Sequence, residues 1–334
     1  MERWSKEKAN AWWQAQKWQM GANYVPSNAV NDLEQWRNET FSPEIIRREL
    51  TWAAQVGMNT LRVFLSYAVW KAEGQTFLDN FETFLSIAHS CGHRVMPILF
   101  DDCAFDYGAD PVYGPQPDPD FNRHNGRWVP SPGFAASDDP AERPSLKAYV
   151  QAVILAHRND SRILAWDLYN EPGNTNRKLA CLPLLVETFR WARECDPVQP
   201  LSSGLYHYDE DWLGLNTVIA QLSDIINLHG YSSAEETISR VEAARKASGR
   251  PVIVTEWLHR PNGNTIHALL PWFKEHRIFV WQWGLVNGRT QTWLNWDITK
   301  NENNTTEPWQ HDLLRADGTP YDVTEVELMR SLAE

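Results

Sequence analysis

No apolar run in this sequence approaches the roughly 20 residues that a helix needs to cross a bilayer, which removes a membrane-spanning helix from the readings. The opening stretch, MERWSKEKANAWWQAQKWQM, lacks the basic start, apolar segment and small-residue cleavage site of a signal peptide. As written the chain therefore reads as cytoplasmic, with a secreted or periplasmic location expected only if a leader has been removed. Cysteine is scarce. Cys91, Cys103, Cys181 and Cys195 show no CxxC spacing, so buried free thiols are expected rather than a disulfide framework or a structural metal site. Basic charge is scarce too: 31 Lys and Arg stand against 43 Asp and Glu, a net charge of −12 with no basic block. Nucleic acid and anionic lipid would be repelled by such a surface, and the expected partner is a neutral molecule.

What remains is an ordinary globular balance, 43% hydrophobic and 22% charged, which excludes a disordered chain. Tryptophan is abundant, with 18 residues. Flat indole faces suit the C–H faces of sugars and indole N–H groups meet hydroxyls, but Trp also packs cores, so composition leaves both uses open.

β-Rich apolar runs alternate with helical stretches. Eight candidate strands fall at 18–24, 60–67, 94–101, 163–171, 200–206, 225–231, 251–257 and 279–286. Helix ends lie between them: Ser42 and Pro43 open one helix and Gly57 follows it, while Ser233 with Glu236 forms a capping box ahead of a helix closed by Gly249. Eight β/α units with nearly continuous apolar strands predict a single (β/α)8 TIM barrel over 1–334, with 1–17 as a helical extension. A doubly wound open sheet is the alternative, but the first strand has no glycine fingerprint after it. Two connections are long, 102–145 after the third strand and 287–322 after the eighth, the latter containing NENNTTEPW. Both follow strand C-termini, the end of a barrel where active sites lie.

Two carboxylates end strands on that face. Glu171 closes the fourth strand in WDLYNEP and Glu256 lies near the end of the seventh in VTEW. Glycoside hydrolysis needs such a pair, one group to protonate the leaving oxygen and another to attack or stabilise the sugar cation. The bland alternative is that each is a salt-bridged strand-end carboxylate. Asn170 is placed to donate to a sugar hydroxyl or to cap the strand end. From the third loop, RHNGRW offers His124, Asn125 and Trp128 as a sugar rim or as a surface loop tied down by its own side chains. Trp212, Trp257, Trp293 and Trp296 are open between stacking and core packing.

Asn170-Glu171-Pro172 with Thr255-Glu256 resembles clan A of the glycoside hydrolases, family five in particular. That resemblance implies a retaining β-glycosidase in which Glu171 is the acid/base and Glu256 the nucleophile, with no cofactor and no metal. It also implies that Arg62 in LRVF supports the nucleophile, that His229 and Tyr231 in LHGY match a His-x-Tyr whose tyrosine bonds the nucleophile, and that Trp283 floors the reacting subsite, with Trp281 the other candidate. WSKEKANAWW and WGLVNGRTQTW resemble family-five-like proteins labelled cellulase or xylanase. One position departs: where the family usually carries a histidine at the end of strand three, LFDDC has Asp101 and Asp102. Asp101 then either binds sugar hydroxyls or salt-bridges Arg62.

The expected electrostatics follow from these roles. Arg62 and Tyr231 should favour ionised Glu256, and desolvation together with Glu256's charge should keep a proton on Glu171. End-wise cleavage of short oligosaccharides is expected from the two long loops. Two other functions fit the residue types: a metal-dependent barrel enzyme built on Asp101, Asp102, His229 and Glu256, and a non-catalytic carbohydrate-binding barrel.

Overall fold

The structure is a computed structural model that describes residues 2–105, 110–120, 122–296 and 307–333. Its strands are β1 Met20–Asn23, β2 Thr60–Phe64, β3 Arg94–Asp101, β4 Trp166–Asn170, β5 Leu201–Ser202, β6 Gly204–Leu205, β7 Ile226–Gly230, β8 Val252–Trp257 and β9 Phe279–Trp283. All eight expected strands are present, the fifth as the pair β5 and β6. The sheet order is β5-β4-β3-β2-β1-β9-β8-β7-β6, every neighbouring pair is parallel, and the halves of the fifth strand bring the two ends of the sheet together as a barrel.

The break in the fifth strand has a local cause. Its sequence, LSSGL, offers hydroxyls that take up neighbouring carbonyls: Ser202 Oγ donates to Trp166 O at 3.3 Å and Ser203 Oγ to Tyr169 O at 2.6 Å. Side chains thus stand in for part of the ladder where the small polar residues would otherwise weaken it.

Helices lie between successive strands and cover the barrel's outer face, so the strands are buried on both sides. The helix Pro43–Gln55 starts after Ser42, whose side chain makes no cap bond, and Gly57 follows it at φ 97°. Ser233 caps the helix Ala234–Ser248 by accepting the Glu236 N–H, and Gly249 ends it at φ 63°, a left-handed position that costs glycine little. Glu236 turns its carboxylate to Arg240, so the return bond of the box gives way to an i,i+4 ion pair. The N-terminal helix is Lys6–Ala15, capped by Ser5.

Much of the tryptophan goes to the core. Trp36, Trp128, Trp166, Trp191, Trp257 and Trp281 are fully buried. Trp36 alone packs against Phe41, Phe77, Phe81 and Phe84. The two long loops follow β3 and β9, and much of NENNTTEPW, residues 301–306, lies outside the described residues. No helix among the described residues is long and apolar enough to cross a membrane.

Candidate active site

At the C-terminal end of the strands a cavity of about 470 Å³ is lined by Glu171 and Glu256 together with Asn170, His229, Tyr231 and Trp283. That is within the size range of small-ligand sites.

Glu171 follows β4 directly and sits in the left-handed region at φ 41°, a conformation that non-glycine residues rarely adopt and that something must hold. Asp102 holds it. Its Oδ2 accepts the Gly173 N–H at 2.7 Å and its Oδ1 accepts the Tyr169 hydroxyl at 2.8 Å, clamping the turn on both sides of Glu171. The Glu171 carboxyl then accepts from Asn174 Nδ2 at 2.5 Å and from His229 Nδ1 at 2.7 Å. Burial pushes its pKa up to about 7.

Glu256, in β8, is held differently. Oε1 accepts from Arg62 at 2.8 Å and Oε2 accepts from the Tyr231 hydroxyl at 2.9 Å. His229 Nδ1 is 3.3 Å from Oε2, so one imidazole N–H stands between both glutamates. One oxygen of each glutamate and the ring nitrogen lie within 4.8 Å of one another. Burial lowers the His229 pKa to about 4, which keeps the ring neutral, and the two carboxylates as acceptors assign its proton to Nδ1. Burial also raises the Glu256 pKa from its ordinary value, Glu171's charge adding to it while His229 and Arg62 pull the other way. This corrects the expectation of a lowered value. Burial outweighs the pull of Arg62, whose single charge is shared with a second buried carboxylate, Asp167, at 2.7 Å.

Several expected placements change. Asp101 neither pairs with Arg62 nor lies on the cavity wall: Oδ1 accepts from Asn170 Nδ2 and the Cys103 N–H, both at 2.8 Å, and Oδ2 from the Trp128 indole at 2.7 Å. It supports Asn170 and Trp128 from behind. Arg62 is likewise fully buried beneath the wall. Asn170 accepts from Arg62 at 2.6 Å and gives one of its two amide hydrogens to Asp101, leaving the other for a ligand. The four residues of the metal reading do not converge, since Asp102 is spent on the Glu171 turn and Asp101 on Asn170 and Trp128. Among the described residues no group of three metal-ligating side chains includes either.

Trp283 lines the cavity, edge-on to Phe64 and Trp128, whereas Trp281 is buried with its indole N–H on Thr60. His124, Asn125 and Trp128 all reach the wall, as does Trp296. Trp212 stacks behind His207, Trp257 packs on Phe273 and Trp293 on Trp309, none of these three tryptophans being a wall residue. The two long loops clasp each other beside the cavity. Asn125 N–H donates to Thr290 O at 2.8 Å, His124 Nδ1 to Leu294 O at 2.7 Å, and the Trp296 indole to His124 Nε2 at 3.0 Å. Burial lowers His124 to about 4, which keeps Nε2 available as that acceptor.

Sequence reading passed over Asp167, the Asp102 clamp and Gly204. A Cβ at Gly204 would lie 2.8 Å from His229 Nε2, so only glycine lets the imidazole reach both glutamates. Gly204→Ala is expected to push the ring off Glu171 and lower kcat about tenfold or more with fold retained, checked by steady-state kinetics beside circular dichroism.

A scan against protein-family models finds no match, and neither does a search of curated proteins. Solved structures do match. A GH5_18 protein from Streptomyces cattleya in complex with GlcNAc aligns with a TM-score of 0.65 at 14% identity over 94% of this chain and 80% of that one. The chain has the barrel fold of family-five glycoside hydrolases. The exo-beta-1,4-mannosidase Op5Man5 from Opitutaceae bacterium strain TAV5 aligns at 0.65 and 19% identity over 94% of this chain, which spans 59% of that protein. The endo-beta-1,4-mannanase from Thermotoga petrophila aligns at 0.60 and 14% identity, covering 96% and 77%. At these identities the likeness is one of fold.

Proposed function

We propose that this protein is a retaining glycoside hydrolase that removes neutral β-linked sugars from the ends of short oligosaccharides. One observation carries the reading: two buried glutamates, close together and unlike in their surroundings, share one imidazole on the wall of a cavity. A retaining pair stands about 5–5.5 Å apart, an inverting pair roughly 6.5–9.5 Å to make room for a water. Nearest ligand atoms within 4.8 Å favour the first.

In this reading ionised Glu256, oriented by Arg62 and Tyr231, attacks the anomeric carbon while Glu171 gives its proton to the glycosidic oxygen. The glycosidic bond breaks and a glycosyl ester forms on Glu256. Glu171, now a carboxylate, takes a proton from water. That water attacks the anomeric carbon, the ester breaks and the sugar leaves with its β configuration restored. Trp283 offers a face for the sugar ring and the free Asn170 hydrogen reaches for a hydroxyl. The clasped loops support end-wise action, since they close one side of the cavity.

Proton NMR of the first product checks the stereochemistry. The β anomer is expected before mutarotation, and an initial α anomer would sink double displacement. β-Mannosides and β-glucosides head the substrate panel, because the structurally similar proteins include an exo-beta-1,4-mannosidase, an endo-beta-1,4-mannanase and a beta-glucosidase.

A further inference from the structure

A guanidinium carries five N–H bonds, and around Arg62 each has an acceptor. Nε donates to Asp167 Oδ2 at 3.0 Å, NH2 to the same oxygen at 2.7 Å and to Asn170 Oδ1 at 2.6 Å, and NH1 to Asn23 Oδ1 at 2.7 Å and Glu256 Oε1 at 2.8 Å. Two of the five go to one atom of Asp167, which is fully buried and outside the cavity wall. Asp167 is itself anchored: Asn227 Nδ2 donates to Oδ2 at 2.9 Å, Thr255 Oγ1 bonds Asn227 Oδ1, and Asn23 Nδ2 reaches Thr255 O at 2.7 Å. The ring closes through Asn23 on Arg62. It ties β1, β2, β4, β7 and β8 together directly beneath the two glutamates, and Thr255 immediately precedes Glu256.

We propose that Asp167 is a positioning residue, one that fixes the Nε–NH2 edge of Arg62 so that the remaining N–H groups are presented to Glu256 and Asn170 and that takes up part of the guanidinium charge. The proposal rests on the reading of Glu256 as nucleophile. Burial raises the Asp167 pKa while Arg62 and the Asn227 amide favour its charged form; with Asp167 charged, a single buried cation serves two buried anions and Glu256 receives less than a whole counter-charge. The outcome is a nucleophile that is oriented by Arg62 without being fully neutralised by it.

Asp167→Asn separates charge from shape. Oδ1 of Asp167 has no hydrogen-bond partner, so an amide can place its oxygen at the Oδ2 position and its nitrogen at the vacant one. Groups facing Glu256 are then Arg62 from β2, Glu171 from the turn after β4, and His229 and Tyr231 from β7 and its end, with the Cys103 thiol also feeling its charge. None of these changes. With Asp167 uncharged, Arg62 favours ionised Glu256 more strongly, so the acid limb of the kcat/KM profile is expected to move to lower pH by roughly one unit. The same shift is expected in the pH dependence of labelling by a 2-deoxy-2-fluoro glycoside, which reads the nucleophile alone. Asp167→Glu keeps the charge but displaces the guanidinium. It is expected to leave the acid limb in place and to lower kcat about tenfold. The Glu variant carries the test if the Asn variant does not fold. An Asp167→Asn enzyme with its acid limb unmoved, or an Asp167→Glu enzyme with wild-type kcat, overturns the proposal. Labelling of wild-type protein away from Glu256 overturns the reading beneath it, and the proposal with it.

Discussion

Glu171→Gln is expected to lower kcat/KM for oligosaccharides by about 10²–10⁴, with a smaller first-step loss for aryl glycosides whose leaving group departs without a proton. The difference between substrates is what identifies a general acid. A group that only shaped the cavity would slow both alike. With activated aryl glycosides the ester on Glu256 should accumulate, because no base remains to activate water, and added azide should speed its breakdown. The pH profile gives the same residue a second test. As the proposed acid, Glu171 must carry its proton, and burial pushes its pKa up to about 7. Activity should therefore be present below that value and be lost as pH rises through it. Glu171→Gln should show no such basic limb on activated substrates, whereas a limb retained in the variant would assign the titration to another group.

Glu256→Gln is expected to abolish turnover on every glycoside, by about 10⁵-fold or more, the scale of losing a nucleophile. Activated leaving groups should give no relief here. The amide oxygen can still accept from Arg62 and the amide NH2 can donate to the Tyr231 hydroxyl oxygen, so the cavity should continue to bind sugar, and calorimetry of oligosaccharide binding separates a dead catalyst from a collapsed site. Because Glu256, as the proposed nucleophile, must be ionised to attack, and burial raises its pKa from the ordinary value, activity should fall on the acid side as pH drops through its pKa. Together the two limbs make a bell whose apparent values belong to the coupled pair.

The barrel was legible in the sequence because each strand is an apolar run bounded by turn residues, and the two glutamates because each ends such a run. Less legible was anything that depends on which side chains meet across the barrel. Asp167 stands in plain view within WDLYNEP, and a charge inside an apolar strand calls for a partner. Its pairing with Arg62, 105 positions earlier, emerges only on closure. Asp101 stayed open between sugar hydroxyls and Arg62 for the same reason: the partners it has, Asn170 and the Trp128 indole, meet it only when the barrel closes and the third loop folds back. Gly204 gave no local signal, since the atom it makes room for belongs to β7. The clasp between the loops after β3 and β9 runs largely through backbone carbonyls, which have no sequence signature. Glu256's raised pKa depends first on how completely the closed barrel buries it, a quantity that motifs do not carry.

The central claim is that Glu256 forms a covalent bond to the sugar. Incubation with a 2-deoxy-2-fluoro glycoside, which slows breakdown of the ester, followed by peptide mass spectrometry, tests it most directly. One fluoroglycosyl group per chain is expected, on the peptide containing Val252–Trp257 and localised to Glu256. A label on any other residue, or full turnover of the fluoroglycoside with no covalent adduct at any time, would contradict it.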